Sequence, residues 1–213
     1  MPIDPDKIWL YRIVHINNVE YLLHNGISTQ NDPLSNTDYI NIGDTTLINQ
    51  RMDYPINLEG YGNLGDYVPF YFGARSPMLY NIITGHRGIT QQPQSDIVYI
   101  CCGMNRVISC SNQWCFTDGH AKSLLTIFYN NISDLDKVDW NIVYEKYWSN
   151  TEVDWDRMRR KQAEFLVKDF VPVNCIDTIV VFNEEKRIFV QDLVDSLQLK
   201  INVLVNPNNN FYY

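Results

Sequence analysis

The sequence predicts an α+β fold. Short β-branched and aromatic runs recur along the whole chain, and the helical stretches occur mainly as inserts between strands that need not be parallel. Neither an internal repeat nor a linker divides the sequence, so its 213 residues are read as a single domain, large enough to bury a substantial core.

Residues 8–14 alternate aromatic, aliphatic and polar side chains and predict a first strand. A short helix follows, capped by Asn17 or Asn18, with Val19, Leu22 and Leu23 as its apolar face and Gly26 as its stop. From Ser28 to Gly65 the chain is rich in Asn, Asp, Gly and Pro, and a loop that long in a compact domain is either disordered or functional. Residues 45–51, with Leu47 and Ile48, predict a helix within that loop that folds over something. The run Y-V-P-F-Y-F at residues 67–72 predicts a strand whose Pro69 demands an edge or a bulge. A turn at residues 75–78 leads into an apolar segment at 79–83, and further short strands are expected at 97–102 and 114–116. Residues 122–148 read as helical, from the series Leu124, Leu125, Phe128, Leu135, Val138 and Val143. The last elements are strands at 165–167 and 176–182, an amphipathic helix near 184–197, and a strand at 200–205.

A net charge of −8 argues against non-specific nucleic-acid binding, because a polyphosphate is repelled on average. Any such contact is therefore expected to be local and confined to a groove. Five cysteines (Cys101, Cys102, Cys110, Cys115, Cys175) form neither a CxxC pair nor a Cys/His zinc spacing, and point to reduced thiols. No apolar run approaches the length of a membrane span and no leader pattern opens the chain, so a soluble cytoplasmic protein is expected, without membrane association. Size and the absence of heptads point to a monomer. GxSxG, HExxH, Walker and strand-following GxGxxG patterns are all missing, so a dinucleotide, if used, is not held in a Rossmann crevice. No ligand cluster asks for a metal.

The segment R-M-R-R-K-Q-A-E-F-L-V (residues 157–167) is the most informative. It places one carboxylate, Glu164, just after Arg157, Arg159, Arg160 and Lys161, at the mouth of an apolar run. An acid leaving the edge of a strand beside a cationic loop suits chemistry in which positive charge develops on a sugar and a polyanion is held nearby. The competing reading is a helix with a solvated basic face.

Four segments, in the same order and covering nearly the whole chain, resemble the DarT family of bacterial toxins that ADP-ribosylate DNA. They are W-L-Y-R-I-V-H (residues 9–15), N-I-G…L-I-N-Q-R (41–51), D-Y-V-P-F-Y-F-G-A-R-S-P-M-L (66–79) and K-Q-A-E (161–164); F-T-D-G-H-A (116–121) and the Phe211-Tyr-Tyr run fit as well. The pattern is closer to the thymine-modifying branch. The resemblance implies an ADP-ribosyltransferase fold, a split, mostly antiparallel β-sheet with inserted helices whose cleft grips NAD as co-substrate. It also implies transfer of ADP-ribose to a thymine in single-stranded DNA, a block to replication, and a DarG-type macrodomain antitoxin as partner.

By the same resemblance Glu164 is the catalytic acid and Arg51 the second catalytic residue, described as helping to remove a ring proton from thymine. An arginine is almost never neutral in a protein, so Arg51 either stabilises the base anion or clamps the pyrophosphate of NAD. Arg12, Ile13, Val14 and His15 match the first strand of the NAD cleft, although some relatives carry histidine where this chain has Arg12. A buried, satisfied imidazole is the rival reading of His15. Tyr21 and Thr29 match flanking NAD positions. Tyr71, Arg75, Met78 and His120 fall in blocks that resemble the DNA-facing surface, with core packing the alternative for Tyr71 and Met78. Residues 157–161 are expected to bind DNA phosphates. Two alternatives stay open. One keeps the fold and changes the acceptor to guanine, RNA, protein or water; Gln162, two residues before Glu164, where arginine-specific protein-modifying enzymes often carry Glu or Gln, keeps the protein acceptor open. The other is a binding module without activity.

Overall fold

The computed structural model describes residues 3–29 and 38–213. In chain order the regular elements there are β1 (Trp9–His15), α1 (Val19–Asn25), β2 (Ile27–Ser28), α2 (Thr45–Met52), β3 (Tyr67–Tyr71), α3 (Pro77–Thr84), β4 (Ile97–Gly103), α4 (Met104–Ser109), β5 (Trp114–Thr117) and β6 (Phe128–Tyr129). They continue with α5 (Trp140–Tyr144), α6 (Arg157–Lys161), β7 (Glu164–Lys168), β8 (Phe170–Val171), β9 (Thr178–Val181), α7 (Glu184–Ser196) and β10 (Asn202–Val205). Eight strands form one sheet in the order β10-β9-β4-β1-β3-β7-β5-β6, while β2 and β8 pair separately. Only β9 and β10 run parallel; the other neighbours are antiparallel. The mostly antiparallel α+β architecture agrees with expectation.

The sheet is split down the middle. β1 follows β4 through seven register positions from Trp9 to His15, yet meets β3 only at Tyr11↔Tyr71. Pro69 sits on β3 along this divide, where a missing N–H costs no ladder bond. Its expected edge is therefore an inner edge, and its carbonyl accepts a bond from Arg12 Nη1 at 3.0 Å.

Strand alternation explains how both faces of the β10-β9-β4-β1 half are filled. Leu10, Val14, Val98, Ile100 and Cys102 face a core closed by Leu22, Leu23, Val190 and Val194 of α1 and α7. Ile13, Ile97, Tyr99 and Cys101 face the opposite core under Leu79 and Ile82 of α3. Gly26 ends α1 at φ 78, as its sequence position predicts. Asn18 does not cap α1 with its side chain. It is buried and instead exchanges two 2.9 Å bonds with the backbone of Ile40, tying the chain after residue 38 to the body of the protein. Residues 30–37 of the long loop lie outside the described residues, whereas the helix expected at 45–51 is α2.

One expected element is corrected. Residues 122–148 do not form a helix but the short strand β6, a 3-10 turn at Ile132–Lys137 and the five-residue α5. Leu124 is 92% exposed, so the apolar series there never shared one face. Short polar side chains capture backbone N–H groups in place of a continuous helix. Asp118 accepts from Ile127, Asn131 from Ser133 and Asp139 from Ile142.

Candidate active site

A cleft of about 1160 Å³ opens where the sheet splits, walled by β1, α1, α2, β3, α3 and the approach to β7. Glu164 sits at its floor as the first residue of β7, register partner of Tyr71 and 2% exposed. The strand start is shaped by Thr117, whose Oγ1 accepts the Glu164 N–H at 2.9 Å and donates to the carbonyl of Gly119 at 2.7 Å. The loop after β5 then turns back so that the Ala121 N–H donates to Glu164 Oε1 at 2.8 Å. Gly119 permits this turn, because a Cβ there would lie 2.4 Å from Arg159 Nη1 and 3.0 Å from its Cγ.

Arg51 approaches from the last turn of α2. Asp44 caps that helix by accepting from Leu47 N–H at 3.0 Å. A Cβ on Gly65 would lie 2.7 Å from both Cα and O of Met52, so only glycine lets the end of α2 settle this close to β3. Arg51 meets Glu164 through a two-pronged pair, Nη1 to Oε1 at 3.2 Å and Nη2 to Oε2 at 2.9 Å. Burial alone would raise the Glu164 pKa, but Arg51, then His120 and the Ala121 N–H, outweigh it and hold the carboxyl below its ordinary range. Burial would likewise lower the Arg51 pKa, and the facing carboxylate more than offsets it. The site therefore holds an ionised acid and a charged arginine.

Two further groups surround the pair. Tyr71 donates to the Met78 sulfur at 3.5 Å, and burial raises its pKa, keeping it neutral. His120 is depressed by burial against the opposing pull of Glu164 and stays a neutral imidazole at pH 7. On the β1 wall, Arg12 Nε is buried with no partner although Nη1 bonds Pro69. An orphaned cationic donor at a cleft wall suits a ligand carrying phosphate or ribose oxygens. Beyond Tyr11 no strand pairs with this edge of β1 among the described residues, which leaves room for a ligand amide.

The cleft gathers Arg12, Ile13, Tyr21, Thr29, Arg51, Tyr71, Met78, His120, Arg159 and Glu164 from the sequence-predicted set. It does not gather Val14 and His15. Val14 lies wholly in the core, and His15 Nδ1 accepts the Asn17 N–H at 3.2 Å, so the satisfied-histidine reading describes it. Arg75 points to the C-terminal segment, donating to the carbonyls of Tyr212 and Asn209 at 2.7 Å each. Gln162 lines the cleft, its side chain donating to the Met158 carbonyl at 3.0 Å.

The basic cluster is not a solvated face. Its four cations are bound within the protein. Arg159 bridges Asp118 and Asp156 at 2.9 and 2.8 Å, and Arg160 pairs with Asp139 and Asp154. Lys161 is 3% exposed and donates to the Val143 and Glu145 carbonyls at 2.7 Å each. Arg157 donates to the Tyr147 carbonyl at 2.9 Å. Carboxylates and carbonyls contributed by residues 118 and 139–156 supply counter-charges that a reading of residues 157–161 alone does not register. Sequence reasoning also missed Thr117 and Ala121, which act through a side-chain oxygen and a backbone N–H. The cleft-lining Tyr80, Trp148, Trp155 and Met158 were missed too.

A split antiparallel sheet with a buried carboxylate beside the split is the architecture of an ADP-ribosyltransferase. The family model described as "ssDNA thymidine ADP-ribosyltransferase, DarT" matches residues 11–213. A DNA ADP-ribosyl transferase of Escherichia coli O127:H6 is 32% identical over 211 residues, covering 99% of this chain and 96% of its own. The structure of Thermus sp. 2.9 DarT in complex with ADP-ribosylated ssDNA superposes with a TM-score of 0.88 at 25% identity, over 100% of this chain and 99% of that one. The same protein in complex with NAD+ gives 0.83 at 25% identity, over the whole of both chains. The chain belongs to the DarT family of DNA ADP-ribosyltransferases. No helix among the described residues is long and apolar enough to cross a membrane. No group of three His, Cys, Asp or Glu side chains among them is placed to hold a metal ion.

Proposed function

We propose that this enzyme transfers ADP-ribose from NAD to a thymine base in single-stranded DNA, releasing nicotinamide. The observation that carries the reading is the ionised Glu164 held by Arg51 on the floor of the cleft. As the glycosidic bond to nicotinamide breaks, positive charge grows on the ribose, and a fixed carboxylate stabilises it without reorganising. Glu164 can also accept a bond from a ribose hydroxyl. Arg12, Ile13, Tyr21 and Thr29 hold the NAD half of the cleft, with the free Arg12 Nε serving an oxygen of the dinucleotide.

Tyr71, Met78 and His120 face the acceptor. A single-stranded substrate presents its base without the cost of extrusion from a duplex. Arg51 acts on the thymine as a stabiliser of negative charge, since its own charge is reinforced by Glu164. The ADP-ribosylated template then blocks replication, and a DarG-type macrodomain partner reverses the mark. The protein acts as a monomer in the cytoplasm.

Mass spectrometry of mixed-sequence single-stranded oligonucleotides incubated with NAD tests this. The expected product is one ADP-ribose on thymine, absent with Glu164→Ala. Consumption of NAD with no gain of mass on any oligonucleotide would refute the acceptor.

A further inference from the structure

The acceptor side of the cleft carries an aromatic group whose position depends on Tyr213. Trp148 lies in the irregular segment 145–156, between α5 and α6, and lines the cleft with Trp155 of the same segment and Tyr80 of α3. Lys161 and Arg157 hold the base of that segment through the Val143, Glu145 and Tyr147 carbonyls. Trp148 itself is fixed from the opposite wall. Its indole N–H donates to the Tyr213 hydroxyl at 2.6 Å, and that hydroxyl donates to the Ser76 carbonyl at 3.2 Å, at the cap of α3. The three rings pack edge to face, Tyr80–Trp148 at 5.7 Å and Tyr80–Tyr213 at 5.8 Å. Gln94 exchanges two bonds with the backbone of Tyr213, and Arg75 covers its ring at 5.7 Å.

We infer that Trp148 is a stacking platform for an unpaired base adjoining the modified one, and that Tyr213 is the positioning residue that fixes its ring. This rests on the proposed single-stranded DNA acceptor. Trp148 is partly covered and Tyr80 is 42% exposed, so aromatic surface is open at this wall of the cleft. The protein is acidic and the cations at residues 157–161 are all bound internally, so stacking supplies sequence-tolerant affinity where charge does not. The indole–phenol bond crosses from the segment before α6 to α3, so the platform keeps one orientation against the catalytic floor. Arg75 has its use here too, as part of the seat of Tyr213.

Tyr213→Phe, Trp148→Ala and Trp148→Phe are compared with the wild type in three measurements. These are oligonucleotide binding by anisotropy, transfer kinetics at varied oligonucleotide, and DNA-independent NAD cleavage. Trp148→Ala is expected to weaken binding and raise the oligonucleotide KM by about tenfold or more. Trp148→Phe should restore part of that loss. Tyr213→Phe removes the hydroxyl that joins Trp148 to Ser76 and should raise KM about two- to tenfold. In Tyr213→Phe, NAD cleavage and kcat at saturating oligonucleotide are expected to hold. Unchanged KM and binding in all three variants, with transfer intact, would overturn the platform and leave the reaction standing. Binding that falls in the variants while no wild-type transfer occurs supports the platform and refutes the reaction. No oligonucleotide binding by the wild type overturns both.

Discussion

Arg51 and Glu164 are 113 positions apart in sequence and meet through two hydrogen bonds, joining the end of a helix to the first residue of a strand. The contact gives each group what burial would deny it, a compensated charge. It also sets the electrostatics of the cleft floor before any ligand arrives.

Glu164→Gln keeps the shape of the side chain and an oxygen for the Ala121 N–H, but removes the charge. Transfer is expected to fall by about 10²–10³-fold, the scale of losing one preorganised electrostatic contact. Circular dichroism should report an unchanged fold. A variant retaining more than about a tenth of wild-type activity would remove Glu164 from the catalytic role.

The pH dependence follows from the same pair. The Glu164 pKa is depressed in the folded state, so its contribution to stability is complete above the unfolded value of about 4.3 and is lost as pH falls through the lower folded value. The acid limb of the activity profile should therefore lie below the ordinary carboxylate range. Arg51→Gln removes the largest opposing influence and leaves burial, so any residual activity should show its acid limb at higher pH. A pH–rate profile in which the limb stays put would separate Arg51 from the ionisation of Glu164.

Gly65→Ala tests how α2 places its arginine. The new methyl group would collide with Met52 backbone, which cannot rotate away as a side chain would. Overpacking of this kind costs about 1–3 kcal/mol, and the shift falls on Arg51, the residue before Met52. Transfer is expected to drop about tenfold or more, beyond what the loss in thermal stability explains. Wild-type kinetics in this variant would show that α2 tolerates displacement.

Lys161→Met asks what the basic cluster is for. Burial pushes the Lys161 pKa down to about 8, and its ammonium group serves two backbone carbonyls. Removing it should destabilise the protein by about 1–3 kcal/mol in urea titration and speed proteolysis within residues 145–156. A phosphate-binding lysine would instead leave stability alone and change only the salt dependence of DNA binding.

Much of the fold was legible in the sequence because its strands are short, apolar runs bounded by turn residues. β1, β4, β9, α1, α2 and α7 each fall within a few positions of expectation. The stretch after β5 was not, because its structure is decided by Asp118, Asn131 and Asp139 capturing local N–H groups, which hydrophobic spacing does not register. Glu164 and Arg51 stood out by resemblance, and the structure brings them into contact. Charge counting along the chain singled out residues 157–161 but could not see Asp118, Asp139 and Asp154 arriving from elsewhere. Strand position alone does not separate Val14 and His15 from their cleft-lining neighbours Arg12 and Ile13. All four share β1, but His15 is spent on a local cap and Val14 on the core.

The two halves of the catalytic pair are anchored very differently. β7 lies between β3 and β5 with bonded neighbours on both sides, whereas α2 contributes no fully buried residue. The carboxylate thus shares the resistance of the whole sheet to opening, and the arginine only that of one short helix. Heat or denaturant should uncouple them in sequence, with α2 peeling away while the sheet persists. The working temperature limit of the enzyme is then set by a local event, below the point at which the molecule as a whole unravels.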